Sequence, residues 1–201
     1  MESAVTNAPG AQPDFFAALG LPRRLSVDAA ALEATYHRLS REVHPDFHLH
    51  KPADERDRLL ARSALVNQAY RALKDFHERV EHLVALEGGG ALKPKAPPAL
   101  LEDVLAVQEL LEECRAAGRF DPGGPLGARL KEEDDRLRAS LAALEAELVS
   151  RSREWDAASE GNGTGNEARR ATLARLQELL GQRVYVVNLI RDIHEVLGRV
   201  A

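Results

Sequence analysis

Apolar residues in the first ninety positions recur at helical spacing and are interrupted by short polar breaks. This pattern predicts four helices, at about 14–19, 26–43, 53–75 and 79–88. The segment 48–52 is polar and contains proline, so a loop is expected between the second and third helices. The apolar positions of the third and fourth helices are Leu59, Leu60, Ala64, Val66, Ala69, Tyr70, Leu73, Val80, Leu83, Val84 and Leu86.

The second predicted helix leads into a charged turn. Its apolar residues share one face because they recur every three or four positions. Arg38 and Arg41 fall on the opposite, polar face. Pro45 ends the helix, since proline lacks the amide hydrogen and disfavours helical geometry in the residue before it. The sequence therefore predicts a rigid turn, His44-Pro45-Asp46, next to a positively charged helix face. The apolar face consists of Leu32, Tyr36, Leu39 and Val43.

The second half of the chain has a longer-range pattern. Glycines and prolines in 89–98 predict a linker between two domains, 13–88 and 99–201. Beyond the linker, three apolar stripes are separated by the breakers 121–125 and 161–166, which predicts an antiparallel three-helix bundle. The stripes are Leu100, Val104, Val107, Leu111 and Cys114; Leu126, Leu130, Leu137, Leu141, Leu144, Leu148 and Trp155; and Leu173, Leu176, Leu180, Val184 and Val187.

Composition narrows the classes of protein. Only 4% of the residues are aromatic while 29% are charged, which favours an all-α protein over a sandwich or barrel. A net charge of -5 argues against nucleic acid or an anionic membrane as a partner. The single cysteine, Cys114, excludes an internal disulfide and a multi-cysteine zinc site, and suits a reducing cytoplasm.

The amino-terminal residues 1–12 show no targeting signal. They lack the basic start and apolar stretch of a secretory signal and the arginine of a mitochondrial presequence, so we expect a short disordered tail. No apolar run approaches the length of a membrane span. We expect a cytoplasmic protein of a bacterium.

Three stretches of the first domain form a recognisable set: Asp14-Phe15-Phe16-Ala17-Ala18-Leu19-Gly20-Leu21, His44-Pro45-Asp46 and Val66-Asn67-Gln68-Ala69-Tyr70-Arg71-Ala72-Leu73. Together they resemble the J-domain, the module through which DnaJ-type co-chaperones activate seventy-kilodalton heat-shock ATPases. The segment 79–88 is similar to the HscB family, the J-type co-chaperones of iron-sulfur cluster assembly. Phe76 and His82 depart from that family, which usually has proline and tyrosine there. The resemblance extends to the second domain through its helical architecture.

The resemblance implies two partners and two binding sites. The first partner is a seventy-kilodalton heat-shock chaperone, HscA-like, bound by His44, Pro45, Asp46, Arg38 and Arg41. The second is an iron-sulfur scaffold protein, IscU-like, bound by the first helix of the bundle and one aromatic residue of the last helix. These scaffold-binding residues are Leu101, Glu102, Leu105, Glu109, Glu113 and Tyr185.

The helical wheel independently favours a binding face on the first bundle helix. Leu101 and Leu105 lie a quarter-turn or more from the buried stripe, and glutamates border them, so the pattern predicts a small apolar patch with an acidic rim. Ala106 and Gln108 depart from the family, which usually has glutamate and arginine there. The alternative is that these residues pack against the first domain or a neighbouring helix.

Two other functions remain open at this point. The chain could be a J-protein with a different client, in which the bundle is a general adaptor or dimerisation module. It could also be a metal-binding or hydrolytic protein using His44, His48, His50 and Asp46. That loop lacks a second carboxylate or thiol at ligand spacing, and no nucleophile or glycine-rich loop accompanies it. We therefore expect no metal, no cofactor and no catalytic residue.

Overall fold

The structure is a computed structural model that describes residues 12–88, 98–117, 121–159 and 166–198. Within these ranges every regular element is helical, which confirms the all-α prediction. The helices are α1 Phe15–Ala18, α2 Ala29–Glu42, a 3-10 helix Pro45–His48, α3 Ala53–Lys74, α4 Phe76–Gly88, α5 Pro98–Ala116, α6 Pro125–Ser159 and α7 Asn166–Gly198. Most of the predicted tail, of the linker and of the glycine-rich breaker before α7 lies outside the described residues.

The chain divides into two units. Unit 1 comprises Met1–Ala91 with Ser152–Arg169, and unit 2 comprises Leu92–Arg151 with Arg170–Ala201. The sequence pattern assigned all residues from 99 onward to the second domain. In the structure, the end of α6 and the start of α7 instead group with the first ninety residues.

Unit 1 is built on helix caps and aromatic packing. Asp14 caps α1 by accepting the Ala17 N–H at 3.1 Å, and Asp28 caps α2 by accepting two amides of its first turn. Gly20 follows α1 with φ of 67°, the left-handed conformation that glycine adopts without steric cost. The buried apolar residues are Phe15, Phe16, Leu19, Leu25, Leu32, Leu39, Val43, Val66, Ala69, Leu73, Val80, Leu83, Val84 and Trp155.

His82 is part of this core. It is 4% exposed, its ring stacks on Phe15 with centroids 4.2 Å apart, and its Nε2 accepts the Phe15 N–H at 3.0 Å. Because Nε2 is the acceptor, the ring is held in its neutral form. Burial lowers the pKa of His82, and the more distant charges of Asp14 and Arg23 act in opposite directions. The imidazole thus anchors α1 to α4.

The end of α6 completes unit 1. Trp155 is 1% exposed, and the Arg169 guanidinium lies 4.4 Å from its ring centroid. The Asp156 carboxylate accepts the backbone N–H groups of Leu25 and Ser26 at 2.8 and 2.7 Å. The sequence pattern had placed Trp155 on a stripe of the bundle, whereas it is buried in unit 1.

Unit 2 has its own apolar core, formed by α5, α6 and α7. Its buried members are Val107, Leu110, Leu111, Cys114, Leu130, Leu137, Val186, Leu189, Ile193 and Val196. The stripe predicted for α7 has the wrong phase in its middle, because Val184 is 37% exposed and Val186 is buried. Each four-residue step turns the helix about 40° past a full turn, so successive steps rotate away from the core. The buried positions Leu179, Val186 and Ile193 are seven residues apart, a step that nearly returns to the same face.

Candidate functional site

The His44-Pro45-Asp46 turn is formed by the end of α2 and the 3-10 helix that follows it. The His44 side chain caps the 3-10 helix, since its Nδ1 accepts the Asp46 N–H at 3.3 Å. An accepting Nδ1 is unprotonated, so the 3.7 Å separation between this atom and the Asp46 carboxylate is not an ion pair. The Asp46 side chain is 78% exposed. The turn therefore presents a carboxylate to solvent on a backbone that hydrogen bonds hold in place.

His48 fixes the other end of the turn. Its Nε2 lies 2.8 Å from the Glu42 carbonyl oxygen, so as a donor it satisfies one of the free carbonyls at the end of α2. The sequence pattern placed His48 in a polar loop and gave it no structural role. A histidine just after the end of a helix only weakly predicts such a hydrogen bond, because the bond forms only if the chain turns back toward the helix.

The arginines of α2 differ in their surroundings. Arg38 donates to the Glu42 carboxylate at 2.8 Å, the i,i+4 pairing common on helix surfaces. Arg41 donates to the His37 carbonyl oxygen at 3.3 Å. Both side chains are exposed. The guanidinium of Arg41 is therefore the freer positive charge beside the turn, and that of Arg38 is partly neutralised.

Two tyrosines and an asparagine set the position of α2 against α3. The Tyr36 hydroxyl donates to the Asn67 side-chain oxygen at 2.9 Å, and its ring stacks on Tyr70 with centroids 4.1 Å apart. Asn67 and Tyr70 belong to the stretch of α3 that resembles J-domains. Their contacts with Tyr36 hold the helix that ends in the turn.

The candidate scaffold face lies on α5 in unit 2. Leu101 and Leu105 are 46% and 61% exposed, as the helical wheel predicted, while Val107 and Leu111 of the same helix are fully buried. The two exposed leucines are one turn apart and so adjoin on the helix surface. Glu102 and Glu109 are exposed as well.

The two remaining residues predicted for this face differ in their surroundings. The Glu113 carboxylate pairs with the Arg129 guanidinium at 2.8 Å, so part of its charge is neutralised within unit 2. Tyr185 of α7 is half-buried and precedes the core residue Val186. Val184, on the other side of Tyr185 in the chain, is exposed, although its spacing predicted a core position.

The histidine loop provides no metal site within the described ranges, where no three histidine, cysteine or acidic side chains converge. Cys114 is 3% exposed, and burial raises the pKa of its thiol, followed by the nearby charge of Glu113. None of the helices in those ranges is long and apolar enough to cross a membrane.

Comparison with known proteins identifies relatives that are named as HscB co-chaperone homologs. No protein-family model matches the chain. A co-chaperone protein HscB homolog from Azoarcus sp. (strain BH72) is 36% identical over 134 residues, 65% of this chain and 76% of the relative. Another from Ralstonia nicotianae is 29% identical over 92% of this chain and 94% of the relative.

A solved structure agrees with these relatives at the level of the fold. The chaperone HscB from Vibrio cholerae superposes with a TM-score of 0.59 at 22% identity, covering 94% of this chain and all of that one. The helical order described above thus recurs in a structure of that name. On the sequence matches, this chain belongs to the HscB family of co-chaperones.

Proposed function

We propose that this chain is a J-type co-chaperone of iron-sulfur cluster assembly. Its His44-Pro45-Asp46 turn stimulates ATP hydrolysis by an HscA-like seventy-kilodalton chaperone, and its α5 face binds an IscU-like scaffold protein. The proposal assigns no catalytic residue to the chain itself. The observation that supports it most is the exposed carboxylate of Asp46 on a turn that His44 and His48 hold in place.

The geometry of the turn suits recognition of a cationic partner group. A fixed, exposed carboxylate binds an arginine of a partner through two parallel hydrogen bonds without first losing much backbone entropy. A hydrogen bond to a charged group contributes roughly 1.5 to 3 kcal/mol. Arg41 and, less strongly, the paired Arg38 attract an acidic partner surface and mainly raise the association rate.

Asp46→Asn tests the ATPase part of the proposal. The variant should fold normally, because the side chain is exposed and makes no contact with the core. It should lose stimulation of single-turnover ATP hydrolysis by the chaperone, since the amide lacks the charge that the contact needs. Asp135→Asn, at an exposed position of α6, is the matched control and should stimulate normally. Near-normal stimulation by Asp46→Asn would refute this role of the turn.

The α5 face suits binding of an apolar partner segment. Leu101 and Leu105 are exposed together on a helix whose other side packs in the core of unit 2. Central apolar anchors of an interface typically cost roughly 1 to 2 kcal/mol or more each when truncated. Glu102 and Glu109 border them, and exposed charge pairs of this kind contribute less than about 1 kcal/mol and are screened by salt.

The double variant Leu101→Ala with Leu105→Ala tests the scaffold part. Calorimetric titration with the scaffold should show binding weakened by well over tenfold, by the anchor costs above, while ATPase stimulation without the scaffold persists. Val149→Ala removes an apolar side chain that is 37% exposed on α6 and is the matched control. If the double variant melts many degrees lower and binds normally per folded molecule, the leucines are core residues and the assignment is wrong.

A J-protein with a different client is the second candidate. Ala106 and Gln108 stand where the HscB family usually has glutamate and arginine, which reduces the charge available at the α5 face. The same titration distinguishes the two candidates. Normal ATPase stimulation together with no scaffold binding by the unaltered chain would favour the different client.

A further inference from the structure

A small pocket opens close to the His44-Pro45-Asp46 turn, between the 3-10 helix and the first turns of α3. Its volume is about 220 Å³. Leu49 and Leu60 in its wall are 69% and 52% exposed, although both are large apolar side chains. The lining residues are His48, Leu49, Arg56, Asp57, Leu59 and Leu60.

The backbone around the pocket is held by several hydrogen bonds. The tie from His48 to the Glu42 carbonyl positions one wall, and the Lys51 N–H donates to the His48 carbonyl at 3.0 Å. The Arg56 N–H donates to the Pro52 carbonyl at 3.0 Å, which starts the first turn of α3. The pocket is thus formed before any partner binds.

The size and chemistry of the pocket favour a protein side chain as its occupant. Pockets for drug-sized molecules usually measure about 300 to 1,000 Å³. This one is smaller, and leucines supply much of its wall, so it matches one large apolar side chain. Phe47, immediately after Asp46 in the chain, is a large apolar side chain that is 64% exposed as well.

The position of the pocket indicates which partner supplies that side chain. Only Phe47 and His48 separate Asp46 from Leu49 in the chain. A stable protein interface buries about 800 Å² on each partner, far more than one turn provides. An interface of that area around Asp46 extends well beyond the turn, and the pocket begins two residues from Asp46, at His48.

The charge around the pocket favours an acidic partner. Residues 38–62 contain six lysines and arginines against five aspartates and glutamates, a net charge of +1 in a chain with a net charge of -5. Three of those carboxylates already form ion pairs, Glu42 with Arg38, Glu55 with Lys51 and Asp54 with Arg58. Arg56 forms no ion pair with any carboxylate in the described part of the chain.

We propose that this pocket binds a large apolar side chain of the same chaperone that Asp46 engages, next to an acidic residue that pairs with Arg56. The inference rests on the proposed function. The proposal assigns different roles to Asp46 and to the pocket within one chaperone-binding surface. Asp46 acts on ATP hydrolysis, and the pocket contributes affinity, because burial of an apolar anchor stabilises the complex whichever nucleotide state is bound.

Leu60→Ser tests this division by titration of the chain against the chaperone in an ATPase assay. The concentration for half-maximal stimulation should rise roughly tenfold, the effect of losing one apolar anchor, while the maximal stimulation is retained. Asp46→Asn should instead lose the maximal stimulation. Val149→Ser, which places the same polar side chain at an exposed apolar position of α6, is the matched control.

Arg56→Ala tests the proposed ion pair between Arg56 and an acidic residue of the chaperone. The variant should raise the concentration for half-maximal ATPase stimulation several-fold at low salt, and this concentration should then depend less on salt than it does for the unaltered chain. Arg58→Ala, whose guanidinium lies 3.6 Å from Asp54, is the control and should have a smaller effect.

Three results would overturn the inference. An unchanged half-maximal concentration for Leu60→Ser, with stimulation still abolished by Asp46→Asn, refutes the pocket and leaves the proposed function intact. A concentration-dependent dimer that Leu60→Ser dissociates assigns the pocket to a second copy of this chain. If the unaltered chain stimulates no ATP hydrolysis, the proposed function fails and the inference fails with it.

Discussion

Asp156→Ala is expected to lower the free energy of unfolding of unit 1 by about 2 to 4 kcal/mol. Asp156 lies on α6 and is 9% exposed, yet its carboxylate accepts two amides that are 130 and 131 residues away in the chain. Arg79 donates from its Nε to the Leu25 carbonyl at 2.9 Å and also donates to the Leu73 carbonyl. The segment between α1 and α2 is therefore held from one side by α4 and from the other by the end of α6.

The magnitude follows from the groups that the substitution leaves unpaired. A hydrogen bond to a charged acceptor contributes roughly 1.5 to 3 kcal/mol, and an unsatisfied buried donor costs about 1 to 3 kcal/mol. The Leu25 N–H is buried and would lose its acceptor, while the Ser26 N–H is partly accessible to water. The substitution would also remove a negative charge that stabilises the buried Arg79 guanidinium. Burial lowers the pKa of Arg79, and the charges of Asp75 and Asp156 raise it. Removal of the buried carboxylate also removes its desolvation cost, which offsets part of the loss in the free energy of unfolding.

The tryptophan of this chain makes the measurement specific to unit 1. Trp155 is the only tryptophan, it is buried, and it precedes Asp156 directly. Denaturant unfolding followed by its fluorescence should give a lower midpoint for Asp156→Ala and an intermediate one for Asp156→Asn, whose amide oxygen retains one acceptor. Asp135→Ala on the exposed side of α6 is the control. If Asp156→Ala changes the free energy of unfolding by less than about 0.5 kcal/mol, Asp156 does not hold the segment between α1 and α2.

Two further predictions concern pH and packing. Burial lowers the pKa of His82 below its ordinary value of 6.5, so the unfolded chain binds a proton at this site more readily than the folded chain does. The free energy of unfolding should therefore be highest above pH 6.5 and fall as the pH decreases below that value. Denaturant titrations at several pH values should show this slope reduced in His82→Tyr, and an equal slope in both proteins would exclude the coupling to Phe15. Gly127→Ala should lower the free energy of unfolding by about 1 to 3 kcal/mol in thermal melts, since its Cβ would overlap the Pro122 carbonyl oxygen. Gly181→Ala, which meets no atom within 4 Å, should instead stabilise by about 0.5 to 1 kcal/mol in the same melts, and equal effects of the two would contradict the packing argument.

Local pattern was sufficient for the helices and for the main exposed residues. Helical spacing and breakers depend on neighbours within a few positions, so the order of the seven α-helices in the described ranges and the turn at Pro45 could be predicted from sequence. The exposure of Leu101 and Leu105 followed from the same wheel geometry. The ion pair of Glu113 with Arg129 was not predictable, because it joins α5 to α6 across a turn whose direction the pattern does not specify.

Tertiary structure decided which segments pack together. The apolar residues of α6 form one continuous stripe in the sequence. Leu148 is buried in unit 2 and Trp155 in unit 1, and no feature of the neighbouring sequence distinguishes the two positions. The end of α6 joins unit 1 partly through the Asp156 carboxylate, which accepts amides 130 and 131 residues away, and a contact over that distance produces no periodicity in the sequence. The phase of the α7 core likewise depends on the two neighbouring helices, since Val184 and Val186 lie on nearly opposite faces of α7 and packing decides which of them is buried. Short-range periodicity determined the elements, and long-range hydrogen bonds and packing determined the units that they form.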